Sequence, residues 1–126
     1  MTLFAQDAGS YVPPAPAPQG DSTPVTYSFV IPVYNEEEVL PELYRRMQVL
    51  IDELDGPSEV ILIDDGSRDR SYPLMLELHA LDQRFKVVHF SRNFGKEVAV
   101  SAGLDLATGE AVVLLDADLQ DPPELV

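Results

Sequence analysis

The sequence contains no cysteine, which excludes disulfide bonds and metal sites built from thiolates. A bound metal ion would therefore take oxygen ligands or one of the two histidines. His79 and His89 lack the spacing of a metal site and are interpreted as structural residues. The missing cysteines also fit a reducing compartment.

Basic residues are scarce, since 8 lysines and arginines stand against 22 acidic residues and the net charge is −14. This charge argues against nucleic acid, or an anionic membrane, as a direct partner of the chain. An acidic protein that handles phosphate groups needs a cation between its carboxylates and the phosphates.

Long apolar runs are missing as well. Nothing approaches the ~20 apolar residues of a membrane span, and there is no secretory signal, so we expect this chain alone to be soluble and cytoplasmic. Residues 1–25 include YVPPAPAPQGDSTP, which favours extended polyproline conformations and predicts a disordered tail. A single domain is expected over residues 26–126.

Within that domain, β-branched apolar runs alternate with segments of helical period. Buried strands are predicted over residues 26–34, 59–64, 85–90 and 110–116. The order is β-α-β-α-β-α-β, which predicts an α/β fold with a mostly parallel sheet.

Three helices are predicted between these strands. The first follows an Asn35 N-cap and carries an apolar stripe through residues 39–54. The second, over residues 71–81, places Leu74, Leu78 and Leu81 on one face. The third, over residues 95–107, places Val98, Ala102 and Leu106 together.

A polar cluster follows each strand, at the sheet edge where α/β folds bind ligands. In the last cluster, Asp116, Asp118, Gln120 and Asp121 offer hard oxygen ligands to Mg²⁺ or Mn²⁺, although a solvated acidic loop explains this motif equally well. Elsewhere, Asp64 and Asp65 precede Gly66, and their carboxylates are suited to a base N–H or to ribose hydroxyls, although this motif alone favours an Asp-Gly turn followed by a helix cap.

The remaining two clusters have similar alternatives. After the first strand, capping explains most of the motif, but Tyr34 is suited to stacking on a base and Glu36 to binding a ribose hydroxyl. After the third strand, Arg92 and Lys96 are suited to a phosphate or to ordinary salt bridges. The glycines of a P-loop are absent there.

In order and spacing, VIPVYNEEEVLPEL, VILIDDGSRDRS and VVHFSRNFGKEVAVSAGLDLATGEAVVLLDADLQDPPE resemble the amino-terminal half of a family 2 glycosyltransferase, of the polyprenyl-phosphate and dolichyl-phosphate sugar synthase branch. The resemblance implies a Rossmann-like GT-A fold, truncated after the fourth strand. It also implies a nucleotide-diphosphate sugar donor of the UDP-glucose or GDP-mannose type and a Mg²⁺ or Mn²⁺ ion.

Carried over by motif, Asp116 and Asp118 would be catalytic, and Asp118 and Gln120 would hold the metal. Asp65 would lie close to Asp64 in the nucleotide pocket. The residues expected to bind the nucleotide sugar are Pro32, Tyr34, Glu36, Asp64, Asp65, Arg92, Lys96 and Asp116.

The implied reaction moves a hexose, with inversion, to a polyprenyl or dolichyl monophosphate at the cytoplasmic face of a membrane. The second pKa of a phosphate monoester is about 6, so the acceptor attacks without a protein base. The later half of such enzymes, with most of the acceptor site and the membrane-contacting segments, is absent, so we expect incomplete catalysis. A non-catalytic nucleotide and metal binding module is the alternative. A receiver-like phosphoacceptor domain fits less well, because the paired aspartates follow the second strand.

Overall fold

A computed structural model describes residues 2–4 and 24–117 of the chain. The described strands form one sheet in the order β1-β4-β3-β2-β5, and every pairing is parallel. In chain order the elements are β1 (Thr2–Phe4), β2 (Tyr27–Val33), α1 (Leu40–Glu53), β3 (Ser58–Asp64), α2 (Ser71–Leu81), β4 (Phe85–His89), α3 (Lys96–Leu106) and β5 (Ala111–Leu114).

The α/β fold and the four predicted strands are confirmed, since they correspond to β2, β3, β4 and β5. Within the tail predicted to be disordered, Thr2–Phe4 pairs in parallel with residues 87–89 of β4 as an edge strand. The rest of that tail up to residue 23 lies outside the described residues.

The sheet is covered on both faces. One face packs against α1 and α2 in a core that includes Phe29, Leu62 and Met75. The other face packs against α3 around Ile61 and Ile63. All seven residues of β3 are buried, as expected for a strand enclosed by helices on both sides. Burying one such aliphatic side chain contributes roughly 1.5–3 kcal/mol. The helices on both faces therefore hold the strands in place, and with them the polar clusters at the strand ends.

The helix α1 begins at Leu40, after a turn, and its N-cap position is Val39. The predicted N-cap, Asn35, is therefore wrong. Asn35 instead adopts a positive φ of 52°, and its side-chain oxygen accepts a hydrogen bond from the backbone N–H of Arg68.

No helix in the described part of the chain has the length and apolar character needed to cross a bilayer.

The helices α2 and α3 match their predicted ranges closely, and Leu78 and Ala102 are buried as predicted, but one residue of each predicted face is exposed. Leu81 is 72% exposed, and Met75 is buried in its place. In α3 the buried residues are Ala99, Ala102 and Gly103, whereas Val98 is exposed. Small residues on this face let the α3 backbone approach the sheet closely, an outcome that hydrophobic periodicity does not reveal.

We expect Gly103→Ala to lower the free energy of unfolding by about 1–3 kcal/mol, although alanine is the better helix former by roughly 1 kcal/mol. A Cβ at this position would lie 2.3 Å from Val30 Cγ1 and 2.8 Å from Ile63 Cδ1. Urea unfolding measures the effect. Ser101→Ala, at an exposed position of the same helix, is the control and should leave stability unchanged or slightly raised. A stabilised Gly103→Ala chain would contradict this packing.

The strand β5 differs from the buried strand predicted for residues 110–116. It pairs with β2 at the edge of the described sheet, and Val112 and Leu114 are 42% and 53% exposed. Directly beyond it, Leu115 and Ala117 are buried. The carboxyl end of this strand therefore turns into the molecule beside β2.

Candidate functional site

The strand order reverses at β2, because β3 and β4 follow on one side of it and β5 lies on the other. In open α/β sheets, ligands bind at such a reversal, outside the carboxyl ends of the strands. A cavity of about 270 Å³ lies at this place. Its lining residues are Pro32, Val33, Tyr34, Glu36, Asp65, Lys96, Asp116 and Ala117.

All four predicted polar clusters thus contribute to one cavity, the third of them through Lys96 at the start of α3. Pro32, at the end of β2, pairs with Ile63 of β3, so the residues after these two strands emerge side by side. The backbone N–H of Asp65 donates to the carbonyl of Val33 (2.8 Å), which extends this pairing into the cavity. Tyr34 is 42% exposed, so an apolar ring is accessible at the cavity mouth.

Asp65 anchors the loop between β4 and α3. Its carboxylate accepts hydrogen bonds from the backbone N–H groups of Phe94 (2.8 Å) and Gly95 (3.1 Å) and from Asn93 Nδ2 (3.2 Å). The side chain therefore joins the end of β3 to the loop that leads to Lys96, while it also lines the cavity.

The environment of Asp65 opposes its charge. Burial raises its pKa above the usual range, and the nearby charge of Asp64 acts in the same direction, whereas the N–H groups of Phe94 and Gly95 lower it in part. Because the pKa is raised on folding, the stability that this group contributes is lost as the pH rises through the raised pKa. A carboxylate that costs folding free energy at neutral pH, beside a cavity, is typical of a binding site.

Asp64 lies behind the cavity and does not line it, which reverses the predicted order of the two aspartates. It is fully buried, and its Oδ2 lies 2.8 Å from His89 Nδ1. Its Oδ1 accepts a hydrogen bond from the backbone N–H of Ser67 (3.0 Å). The ring of Tyr72 stacks on His89 at 3.8 Å. Asp64 thus supports the turn from inside, while Asp65 faces the cavity.

The predicted glycine turn is present at Gly66, whose φ is 71°. A Cβ there would lie 2.2 Å from the backbone carbonyl carbon of Arg92 and 2.4 Å from the backbone nitrogen of Asn93. Only glycine permits the turn after β3 to contact the loop after β4 this closely. The contact holds the Asp65 anchor in reach of that loop.

Lys96 and Asp116 form an ion pair inside the cavity lining, with Nζ and Oδ1 separated by 2.8 Å. Lys96 begins α3 and Asp116 follows β5, so the pair bridges the cavity wall from one element to the next. Its lysine side chain is 66% exposed and the aspartate 34%, so solvent or an anionic ligand has access to both. Of the predicted phosphate-binding cations, Lys96 is the one that reaches the cavity.

Arg92 lies elsewhere, because its guanidinium carbon sits 4.2 Å from the centre of the Phe94 ring. A cation above an aromatic ring gains electrostatic attraction from the ring face. Arg92 is absent from the cavity lining, so its predicted contact with a nucleotide sugar stays a prediction.

The predicted metal site falls mostly beyond the described part of the chain, since Asp118 and Gln120 both lie outside it. Among residues 2–4 and 24–117, no group of three histidine, aspartate or glutamate side chains is able to hold a metal ion. Asp116 does bring a carboxylate to the cavity, where Glu36 and Asp65 add further acidic oxygens. Of the oxygen ligands predicted in the last polar cluster, the structure therefore describes Asp116 alone, and its carboxylate is of the type that hard divalent cations prefer.

Two contributors to this site were not predicted. Asn93 binds the Asp65 carboxylate, and its position between Arg92 and Gly95 in a polar cluster was the available signal. His89 contacts Asp64, as a residue at the end of β4 that pairs with the end of β3. Periodicity gave no sign of this contact, because it depends on the register between the two strands.

Residues 28–126 match the model of the glycosyl transferase family 2. An uncharacterized glycosyltransferase of Bacillus subtilis (strain 168), YkcC, is 48% identical over 102 residues, which are 81% of this chain and 32% of that protein. The undecaprenyl-phosphate 4-deoxy-4-formamido-L-arabinose transferase of Pseudomonas fluorescens (strain Pf0-1) is 48% identical over 77% of this chain and 29% of that protein. The chain thus spans about a third of the length of these curated relatives.

Solved structures of glycosyltransferases share the fold. The mannosyltransferase PcManGT from Pyrobaculum calidifontis, in complex with GDP-Man and Mn²⁺, matches 80% of this chain and 34% of its own with a TM-score of 0.65 and 25% identity. Staphylococcus aureus TarS 1-349, in complex with UDP, matches 75% of this chain and 28% of its own with a TM-score of 0.63 and 28% identity. The predicted GT-A fold is thereby confirmed.

Proposed function

The chain belongs to glycosyl transferase family 2, and on this premise we propose that its cavity binds the nucleotide part of a nucleotide-diphosphate sugar. The observation that carries the proposal is the cavity at the strand-order reversal, because its lining combines an exposed tyrosine, three carboxylates and one lysine. These groups match the parts of such a donor, which are an aromatic base, ribose hydroxyls and a diphosphate.

In this proposal each lining residue has a role that its chemistry supports. Tyr34 stacks on the base, and Glu36 accepts a hydrogen bond from a ribose hydroxyl. Asp65 accepts from the base N–H or a ribose hydroxyl, while it holds the loop after β4. Lys96 exchanges its partner, Asp116, for an oxygen of the diphosphate. Asp64 and Arg92 lie outside the cavity lining. Asp64 supports the turn after β3, and Arg92 contacts Phe94 in the loop after β4.

In the proposed site Asp118 and Gln120 would hold a Mg²⁺ or Mn²⁺ ion, and Asp116 would supply a further carboxylate from the cavity lining. When bound, such an ion neutralises the charge that develops on a leaving nucleotide diphosphate. The net charge of −14 supports this assignment, because the carboxylates of the cavity repel a diphosphate unless a cation intervenes. The Mn²⁺ and GDP-Man of the Pyrobaculum calidifontis structure support it as well.

For the whole protein we propose hexose transfer from a UDP- or GDP-linked donor to a polyprenyl or dolichyl monophosphate. The support is the similarity to undecaprenyl-phosphate sugar transferases of Pseudomonas. The acceptor phosphate is its own nucleophile, since its second pKa of about 6 leaves it mostly dianionic at neutral pH. Attack opposite to the leaving diphosphate inverts the anomeric carbon. The cytoplasmic face of a membrane, where such lipids present their phosphates, is the proposed location.

Calorimetric titration of the 126-residue chain with UDP and with GDP, each with and without Mn²⁺, tests the nucleotide site. We expect one nucleotide to bind, and to bind more tightly with the metal. If neither binds in the presence of Mn²⁺, the proposed function is wrong. Incubation with the matching nucleotide sugar and a polyprenyl phosphate then separates two outcomes, because binding without transfer favours a nucleotide and metal binding module.

Asp118→Ala should weaken Mn²⁺-dependent nucleotide binding at least about tenfold, because it removes a proposed metal ligand. Binding measured without metal should change little. Asp105→Ala is the matched control, since it removes one carboxylate from an exposed position of α3. Equal metal dependence in the Asp118→Ala chain and the parent would refute this ligand.

A further inference from the structure

The loop between β2 and α1 is held by side chains of the loop between β3 and α2 and by that of Ser71, the first residue of α2. The backbone N–H of Asn35 donates to Ser67 Oγ (2.9 Å), and that of Glu36 donates to Ser71 Oγ (2.8 Å). The N–H of Glu37 donates to Asp69 Oδ2 (3.2 Å). Three successive N–H groups of the first loop therefore find their acceptors on the segment from Ser67 to Ser71. We name this set of contacts the loop clasp.

The loop clasp is reciprocal, because Asn35 Oδ1 accepts a hydrogen bond from the backbone N–H of Arg68 (2.8 Å). Asn35 is the single described non-glycine residue with a positive φ, and asparagine tolerates this conformation better than most side chains do. The conformation turns the N–H of Asn35 and its side chain toward the same loop. The choice of asparagine thus serves both the backbone turn and the contact.

Asp69 is committed to the loop clasp on both of its oxygens. Its Oδ1 accepts from the backbone N–H of Ser71 (2.8 Å), and its Oδ2 accepts from that of Glu37. Burial acts to raise the pKa of Asp69, but hydrogen bonds from Ser71 and from the Glu37 N–H lower it overall. The folded chain therefore favours the charged form of Asp69, which is the better acceptor.

The clasped residues flank two side chains of the cavity. Tyr34 immediately precedes Asn35, and Glu36 is itself clasped through its N–H. The helix α1 starts only at Leu40, so residues 35–37 precede it and their N–H groups have no helical partners. These N–H groups bind the side chains of the loop clasp instead. Without the loop clasp these three donors would face water or remain unsatisfied, and the segment would lose its single conformation.

We propose that Asn35, Ser67, Asp69 and Ser71 are positioning residues that fix Tyr34 and Glu36 in the cavity wall. None of them lines the cavity. Their importance for ligand affinity rests on the proposed nucleotide site, whereas their effect on loop order does not. The loop after β3 thus contributes twice, through Asp65 in the lining and through the loop clasp behind it.

Amide hydrogen exchange tests the effect on loop order. Asn35→Gly keeps access to positive φ but removes the side-chain acceptor, whereas Asn35→Asp keeps an acceptor oxygen. Ser67→Ala removes the acceptor of the Asn35 N–H. We expect the amides of residues 35–37 to exchange about tenfold faster in Asn35→Gly and Ser67→Ala, since a net hydrogen bond contributes about 1 kcal/mol or more. The amides of β2 should be unaffected, and Asn35→Asp should resemble the parent.

Nucleotide titration of the same chains measures the consequence for binding. We expect the Kd to rise about tenfold in Asn35→Gly and Ser67→Ala and to recover in Asn35→Asp. Thr108→Ala is the control, because it removes a hydroxyl hydrogen bond at the opposite end of the sheet and should change neither readout. Unchanged exchange at residues 35–37, or equal changes throughout β2, would overturn the proposal. If the parent chain binds no nucleotide, the proposed function fails, and the exchange data still decide for or against the loop clasp.

Discussion

Replacing Asp65 with alanine is expected to weaken nucleotide binding by about 100-fold, the largest effect of any substitution in the described cavity lining. The carboxylate carries two functions, because it lines the cavity and anchors the loop after β4 through Asn93, Phe94 and Gly95. A hydrogen bond to a charged group contributes about 1.5–3 kcal/mol, and 1.4 kcal/mol corresponds to a factor of ten in affinity. Loss of the direct contact and of loop order together gives the expected factor.

The effect on stability should be smaller than the effect on binding. Holding the charge of Asp65 in a buried position costs folding free energy, as its raised pKa indicates, so its removal relieves part of what the lost hydrogen bonds cost. Calorimetric titration of UDP or GDP, with urea unfolding of the same samples, separates the two. The control is Asp105→Ala, which removes the same charge from an exposed helix position. An affinity equal to that of the control would show that Asp65 has no part in the site.

The sheet and the edge that carries the site were predictable, because both depend on local sequence. Continuous apolar runs identified β2, β3 and β4, and the polar residues that follow them had to emerge at one edge of a parallel sheet. Pro32, Tyr34 and Glu36 illustrate this, since their places in the lining follow from their positions at the carboxyl end of β2 or directly after it.

The order of the two aspartates was not predictable, because strand register decides it. Successive residues of a strand point to opposite faces, so either Asp64 or Asp65 was able to face the cavity. The pairing of Asp64 with His89 on β4 brings the imidazole to the Asp64 carboxylate, and Asp65 faces the cavity instead. The same limitation applies to α3, where Ala99 and Gly103 carry little hydrophobic signal yet form the contact with the sheet.

The end of the sheet opposite the cavity contains a buried charge that the sequence motifs did not identify. Glu59, near the amino end of the central strand β3, is 1% exposed, and its Oε1 accepts from Lys86 Nζ (2.6 Å). Its Oε2 accepts from Ser28 Oγ (2.5 Å) and from the backbone N–H of Thr108 (2.8 Å). The carboxylate thus joins β2, β3 and β4 to the loop before β5.

Removing this carboxylate should destabilise the chain more than any other substitution considered. Burial acts to raise the pKa of Glu59, but the hydrogen bonds from Lys86, Ser28 and Thr108 and the charge of Lys86 lower it overall. Glu59→Ala leaves these donors without an acceptor. Lys86 is 32% exposed and is hydrated after the truncation, so the main cost comes from the donors of Ser28 and Thr108, at about 1–3 kcal/mol each, and urea unfolding at pH 7 measures it.

The pH dependence of stability distinguishes the charge of Glu59 from its shape. Because folding lowers its pKa, its contribution is present above the ordinary glutamate value of 4.5 and is lost as the pH falls through the lowered pKa. Glu59→Gln keeps the shape and one acceptor, so we expect a smaller loss at pH 7 and a weaker decline of stability below pH 4.5. Glu110→Gln, at an exposed position, should retain the acid sensitivity of the parent. If the stability of Glu59→Gln declines in acid like that of the parent, other carboxylates cause the decline. The charge of Glu59 then contributes little to the hydrogen bonds that connect β2, β3 and β4.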